Sequence, residues 1–275
     1  MRFWPNENTT LCLSLAAHPG SFGVRFHNFL FRIYDLNFIY LSRRTENIGS
    51  AIAALRSFQV RGCAVTMPFK VDAMMFVDEL DESVQVTGAL NTIVQTDGIL
   101  KAYNTDMWAV QSLIDQSNLE TSAKILVLGA GGMARAVVAA FYSRKFRNVE
   151  LMVRDQARGT SVGNPLGYTA RAWTTDLKGY GLVVNATSLG FRHLPAEQLP
   201  NELAGVESAA PILWDMVADP SPTALVRRAQ ALGRVVVPGH SISRLQAQKQ
   251  FSLYTGVEPS PAHVEAAFKE ATSKL

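Results

Sequence analysis

Cysteine and histidine are scarce: the 275 residues include two Cys and five His. Cys12 and Cys63 stand in apolar, strand-like contexts with no CxxC or Cys/His cluster, and no HExxH occurs, so two reduced buried thiols are expected and no metal site. Long apolar runs are missing too. Charge interrupts each one well short of a membrane span, and the opening MRFWPNENTT carries no apolar signal core, so no membrane partner and a soluble, cytoplasmic protein are expected. Charge of one sign is also in short supply. A formal net charge of +3, without a Lys/Arg block interleaved with aromatics, gives no support to a nucleic-acid partner. No repeat and no low-complexity stretch appears, and 48% hydrophobic against 18% charged residues describes an ordered globular chain. At this length two domains are expected, and with them a cleft for a small-molecule substrate; the oligomeric state is left open.

What is present begins with alternating elements. Leu11–Leu15 reads as a strand, 24–36 as a helix, 37–42 as a strand, 47–57 as a helix with Ile48, Ile52 and Leu55 at helical spacing, and Cys63–Thr66 as a third strand. That βαβαβ order implies a mostly parallel sheet. A helix is expected from Lys70 through the acidic DELDES segment. Two strand-like runs then flank Asp97-Gly98, a hairpin turn. Thr105 is expected to cap a helix that begins at Asp106 and continues through Val110, Leu113 and Ile114.

From Ala123 the pattern restarts. KILVLGAGGMARAVVAAFYSRKFRNVELMVRD reads as strand, glycine turn, helix and strand, which is a mononucleotide-binding unit, and GLVVNAT, PILWDMV and RVVVPG extend its sheet. The expected fold is therefore α/β with two domains and a cleft between them. Residues 1–105 form an N-terminal α/β substrate domain, 106–239 a Rossmann-type dinucleotide-binding domain, and the helices of 240–275 pack back on the first.

The glycine turn is the cofactor candidate. Gly129 permits the tight turn, Gly131 and Gly132 let backbone approach a pyrophosphate at the helix amino end, and Ala134 sits where close packing demands a small residue; Ala130 and Met133 complete the loop. NADP or NAD is decided after the next strand, in VRDQAR. Arg154 and Arg158 form a fork suited to the extra phosphate of NADP, while Asp155 is the competing signal for the ribose hydroxyls of NAD. NADP is favoured and NAD stays open. Gly239, after the last strand, is a further cofactor candidate.

The catalytic candidates start at RGCAVTMPFK, where Pro68 ends an apolar strand and leaves Lys70 just past it. Polar residues at other strand ends, in GALNT (88–92), YNTDM (103–107) and SRLQAQ (243–248), supply partners. The order and spacing of Pro68-Phe69-Lys70, Gly88–Thr92, Asn104-Thr105-Asp106, Gly129–Gly132, Asn185–Gly190 and Gln246 resemble the shikimate dehydrogenase family across nearly the whole chain. The resemblance implies reversible oxidation of a ring hydroxyl of shikimate to the ketone of 3-dehydroshikimate by hydride transfer to a nicotinamide. It makes Lys70 and Asp106 the catalytic pair, lets Asn91, Thr66 and Gln246 bind the substrate, and sets Thr187 and Ser188 of the NATS segment beside the nicotinamide. The chemistry agrees: removing hydride from a carbinol also requires removing the hydroxyl proton, so a proton acceptor must lie within hydrogen-bond reach.

Two positions depart from the family. Its members usually carry a Ser-x-Ser pair for the substrate carboxylate, and here Ser21 is followed by Gly23, with His18 or Arg25 as possible replacement donors. Ala218 stands where the family often has a tyrosine, which widens the expected pocket. Both changes point towards a divergent branch, adapted to shikimate or to a relative such as quinate or aminoshikimate. A non-catalytic dinucleotide or metabolite sensor is the competing class, and retention of both Lys70 and Asp106 speaks against it.

Overall fold

The computed structural model describes residues 5–191 and 198–273. In chain order its regular elements are β1 (Thr10–Ala16), α1 (Phe22–Ile33), β2 (Phe38–Arg44), α2 (Ile48–Ser57), β3 (Gly62–Val65), β4 (Glu79–Leu80), α3 (Glu82–Thr87), β5 (Thr92–Thr96), β6 (Ile99–Tyr103), α4 (Thr105–Gln116), β7 (Ile125–Leu128), α5 (Gly132–Ser143), β8 (Val149–Val153), α6 (Gln156–Gly163), β9 (Thr169–Ala172), β10 (Leu182–Asn185), β11 (Ile212–Asp215), α7 (Ala224–Ala231), β12 (Val235–Val237), α8 (Gly239–Thr255) and α9 (Pro261–Thr272). They divide into two compact units: Met1–Thr105 with Gln246–Leu275, and Asp106–Leu245.

The first unit holds a sheet of order β2-β1-β3-β5-β6-β4. β1 runs parallel to β2 and β3, and β4 to β6, whereas β5 is antiparallel to both β3 and β6. The hairpin between β5 and β6 turns on Asp97 and Gly98, both at positive φ (50° and 82°), the primed geometry that a right-handed strand twist prefers. One face buries Leu15, Ile52, Leu55, Val65, Phe69 and Leu90. On the other, Phe26, Leu30, Tyr40, Phe251, Tyr254 and Val264 join α1 to the last two helices.

The second unit has a wholly parallel sheet, β12-β11-β10-β7-β8-β9. Counted within the unit, that is the doubly wound order 3-2-1-4-5-6 read in reverse, whose switch point lies between β7 and β10. Helices cover both faces, so the strands ILVL of β7 and LVVN of β10 are buried at every position. α5 packs closely because its inward residues are small: Ala134, Ala136, Ala139 and Ala140 are all fully buried.

One expected element is absent. Instead of a continuous helix from Lys70 through the acidic segment, the chain makes a short 3-10 turn at Asp72–Phe76, then β4 and α3. Asp78 is the reason: its carboxylate accepts the Leu100 N–H at 2.7 Å and pairs with Arg56 at 2.8 Å, drawing the segment onto β6. Asp81 then caps α3 through the Ser83 N–H at 3.0 Å, and Gly88 ends that helix in the left-handed region at φ 60°.

Candidate active site

In the first unit the polar candidates gather at the end of β3. Thr66 lies just beyond that strand and is exposed, its N–H bonded to the Leu15 carbonyl at 3.0 Å. Phe69 turns into the core, so Lys70, half-buried, follows a fixed anchor, and the Lys70 carbonyl accepts the Leu90 N–H at 2.8 Å. Next to Leu90 stands Asn91, 2% exposed and hydrogen-bonded to capacity. Its Nδ2 donates to Thr105 Oγ1 at 2.9 Å and to Gln246 Oε1 at 3.2 Å; its Oδ1 accepts from the Thr105 N–H and from Thr92 Oγ1, each at 2.8 Å.

Thr105 is thus not the expected cap. It is the first residue of α4, and its hydroxyl is engaged by Asn91. Asp106 follows it, fully buried in the first helical turn, where the helix dipole favours a carboxylate. Sequence reasoning missed Gln250, which donates to Thr92 Oγ1 at 3.0 Å. The signal was the four-residue interval from Gln246, which puts both amides on one helix face.

Ser21 is the exposed N-cap residue of α1, and its side chain makes no cap bond. At Gly23 an added Cβ would stand 3.2 Å from the Tyr40 ring and 3.3 Å from its hydroxyl, so Tyr40 closes the space that a side chain at position 23 would use. Arg25 donates to the Ser273 carbonyl at 2.6 Å and to the Ser273 hydroxyl at 2.5 Å, so two of its five N–H donors are engaged by the end of α9.

In the second unit the glycine turn has the conformation a dinucleotide needs. Gly129 sits at φ 105°, and a Cβ there would press on the Thr187 methyl at 3.1 Å and the Ala186 carbonyl at 3.2 Å. Gly131 is the N-cap of α5 without a side-chain cap bond, a Cβ on it would meet open space, and Gly132 opens the helix. The first-turn N–H groups thus face an uncrowded approach, which fits a pyrophosphate. Ala130 and Ala134 are buried and Met133 half-buried behind the turn.

Arg154 and Arg158 are exposed at the end of β8 and in the first turn of α6. Asp155 is the N-cap of α6, accepting the Arg158 N–H at 3.0 Å, so the competing carboxylate has a structural task. Arg135 was not singled out from sequence. Burial, and then the charge of Arg158, holds its guanidinium below the ordinary arginine range, so the two cations share one field beside the turn.

Thr187 is fastened by its hydroxyl to Asn185 Oδ1 at 2.6 Å, while Ser188 is exposed. Gly239 has a packing reason of its own: a Cβ there would lie 2.1 Å from the Val217 carbonyl oxygen. Ala218 is exposed. Both cysteines are free and buried, and burial pushes the Cys12 thiol up to about 12. Among the described residues no group of three or more His, Cys, Asp or Glu side chains forms a metal cluster, and no helix is long and apolar enough to cross a membrane.

Comparison with known proteins adds relatives to this geometry. Residues 19–93 match the shikimate dehydrogenase substrate binding domain. The chain is 39% identical over 273 residues to a shikimate dehydrogenase-like protein of Haemophilus influenzae, covering 98% of this chain and 99% of that one. It is 32% identical to a shikimate dehydrogenase (NADP(+)) of Nitrosopumilus maritimus, over 84% of this chain and 88% of that one. Among solved structures it is similar to a shikimate 5-dehydrogenase-like protein, with TM-score 0.87 and 38% identity, covering 98% of this chain and all of that one (100%).

Proposed function

Given that the chain belongs to the shikimate dehydrogenase family, NADP-dependent oxidoreductases acting on a CH–OH group, we propose that it oxidises the ring hydroxyl of shikimate to the ketone of 3-dehydroshikimate, reversibly. Bound NADP would supply the nicotinamide to which the hydride is transferred, or from which it returns. Lys70 handles the hydroxyl proton, and Asp106 orients it. Asn91, Gln246 and Thr66 receive the ring hydroxyls, and Ser21 the carboxylate. Gly129 makes the tight turn, its own N–H bonded to the Met152 carbonyl at 2.9 Å, and Gly131 and Gly132 let the backbone approach the pyrophosphate, with Thr187 and Ser188 bordering the nicotinamide and Gly239 beside them. Arg154 and Arg158 accept the phosphate that distinguishes NADP, a reading supported by Asp155 already serving as a helix cap.

The observation that carries the proposal is the Asn91 node. One buried amide ties together the strand end next to Lys70, the residue preceding Asp106, and Gln246. The test is the initial rate of shikimate oxidation, followed through reduced nicotinamide absorbance with NADP and NAD at equal concentrations. Turnover is expected to favour NADP and to fall by about 10²- to 10⁴-fold in Lys70→Ala; unchanged turnover in that variant removes Lys70 from the reaction. Gly23 favours a second reading, oxidation of an analogue such as quinate or aminoshikimate, because it lacks one carboxylate-binding hydroxyl. Higher kcat/KM with an analogue selects that reading. Dinucleotide binding without turnover on any of them selects a sensor.

A further inference from the structure

The carboxyl of Asp215 is a buried titratable group that the proposed reaction does not use. It lies at the end of β11, 1% exposed, and the bonds it accepts run to separate segments of the second unit. Its Oδ1 accepts from Asn185 Nδ2 at 2.9 Å and from the Val217 N–H at 3.2 Å, and its Oδ2 from the Thr223 hydroxyl at 2.5 Å. Three donors converge on a group that, ionised, only accepts.

Asn185 passes this constraint on. Its Oδ1 accepts the Thr187 hydroxyl at 2.6 Å and the Thr187 N–H at 3.2 Å, while the Thr187 hydroxyl in turn accepts the Leu189 N–H at 3.0 Å. The resulting turn stands against Gly129, where a Cβ would already crowd the Thr187 methyl and the Ala186 carbonyl. Movement of the 186–189 turn towards or away from the glycine turn therefore has to stretch the bonds of Asn185, whose amide is held by Asp215.

Resting on the reading that the Gly129–Ala134 turn holds the dinucleotide, we propose that Asp215 is a positioning residue that sets, through Asn185, the spacing between the Thr187 turn and the glycine turn, and with it the affinity for the cofactor. Asn at position 215 retains the shape and two of the acceptor bonds, and its amide can donate to Thr223; Ala retains nothing.

The experiment is a fluorescence titration of the full-length protein with NADPH, without substrate, beside thermal melting and a separation of KM for NADP from kcat. Removing the partner of a buried polar group predicts that Asp215→Ala raises the Kd about tenfold or more, with KM rising and kcat less affected; Asp215→Asn should stay within about threefold of the parent. Tyr168→Phe serves as a control for lost stability alone, since that hydroxyl donates to the Phe146 carbonyl at 2.8 Å, away from these turns. It should lower Tm and leave the Kd in place. Should Asp215→Ala not fold, Thr223→Val decides the matter: it removes the bond to Asp215, for which a Kd about threefold higher is expected, and also the α7 cap on the Val226 N–H, whose loss is read separately in Tm. Parent-like affinity in folded Asp215→Ala overturns the proposal, as does parent-like affinity in Thr223→Val where Asp215→Ala fails to fold, or an equal loss of affinity in Tyr168→Phe. If the parent protein itself binds no NADPH, the cofactor reading falls and takes this proposal with it; absence of shikimate turnover alone touches neither.

Discussion

The two units handle their buried polar groups in opposite ways. In the first, Asn91, Thr92, Thr105 and Gln250 are amides and hydroxyls that satisfy one another, and one of the titratable groups buried among the aromatics is a base that would gain charge in mild acid, His27, stacked on Tyr40 with ring centroids 4.4 Å apart. In the second the central polar group is an acid, Asp215. Burial disfavours charge in both, but it drives the two groups in opposite directions: the His27 imidazole goes down to about 3 and the Asp215 carboxyl up to about 6. One interior therefore resists acid poorly and the other resists base poorly, although both share one chain.

The largest effect expected from this contrast is on acid stability. Between about pH 6.5 and 3 the unfolded chain protonates His27 while the folded first unit does not, so that unit loses stability as pH falls, by about 4 to 5 kcal/mol at the bottom of the window. Amide exchange resolved by unit should show this loss, and His27→Leu should flatten it. A flat profile in the parent would break the comparison.

Asp215 gives the next effect, with the opposite sign. Its folded pKa lies above the unfolded value, so its contribution is fully present below about pH 3.8 and is lost as pH rises through about 6, a difference of about 3 kcal/mol in the second unit. Asp215→Asn should remove this pH dependence without touching that of the first unit.

Packing predictions are smaller and sharpen the same division. Gly239→Ala drives a Cβ to within 2.1 Å of a backbone oxygen in the second unit, and Gly62→Ala brings one to 2.2 Å from the Tyr254 ring in the first. Each should cost about 1 to 3 kcal/mol by overpacking, read as faster amide exchange in its own unit. Smallest is Arg154→Ala, expected to weaken NADPH binding about tenfold and to leave NADH binding unchanged, as the loss of one charge-assisted bond implies. Equal losses with both cofactors would remove Arg154 from the phosphate site.

Much of the fold was legible because its signals are local. Apolar spacing announced β1, α2 and β3, Asp97-Gly98 announced the hairpin, and the glycine turn between an apolar strand and an alanine-rich helix announced α5. The segment after Lys70 was misread because the acidic run looked like a solvated helix face, whereas Asp78 and Asp81 make bonds across the sheet and at a new helix start. Asp155, the competing signal for NAD, also caps α6, a task that sequence alone does not separate from that of a ligand because both use the same residue type.

By itself the sequence determined the β/α alternation, the glycine turn, and the residue types at each strand end, since these follow from side-chain periodicity and from the steric freedom of glycine within a few residues. Tertiary structure decided which of those residues meet. Asn91 and Gln246 are 155 positions apart, and Asn185 and Asp215 are 30 apart. A buried amide or carboxyl is stable only where donors and acceptors converge on it, and that convergence is a property of packed strands and helices rather than of any local stretch of chain.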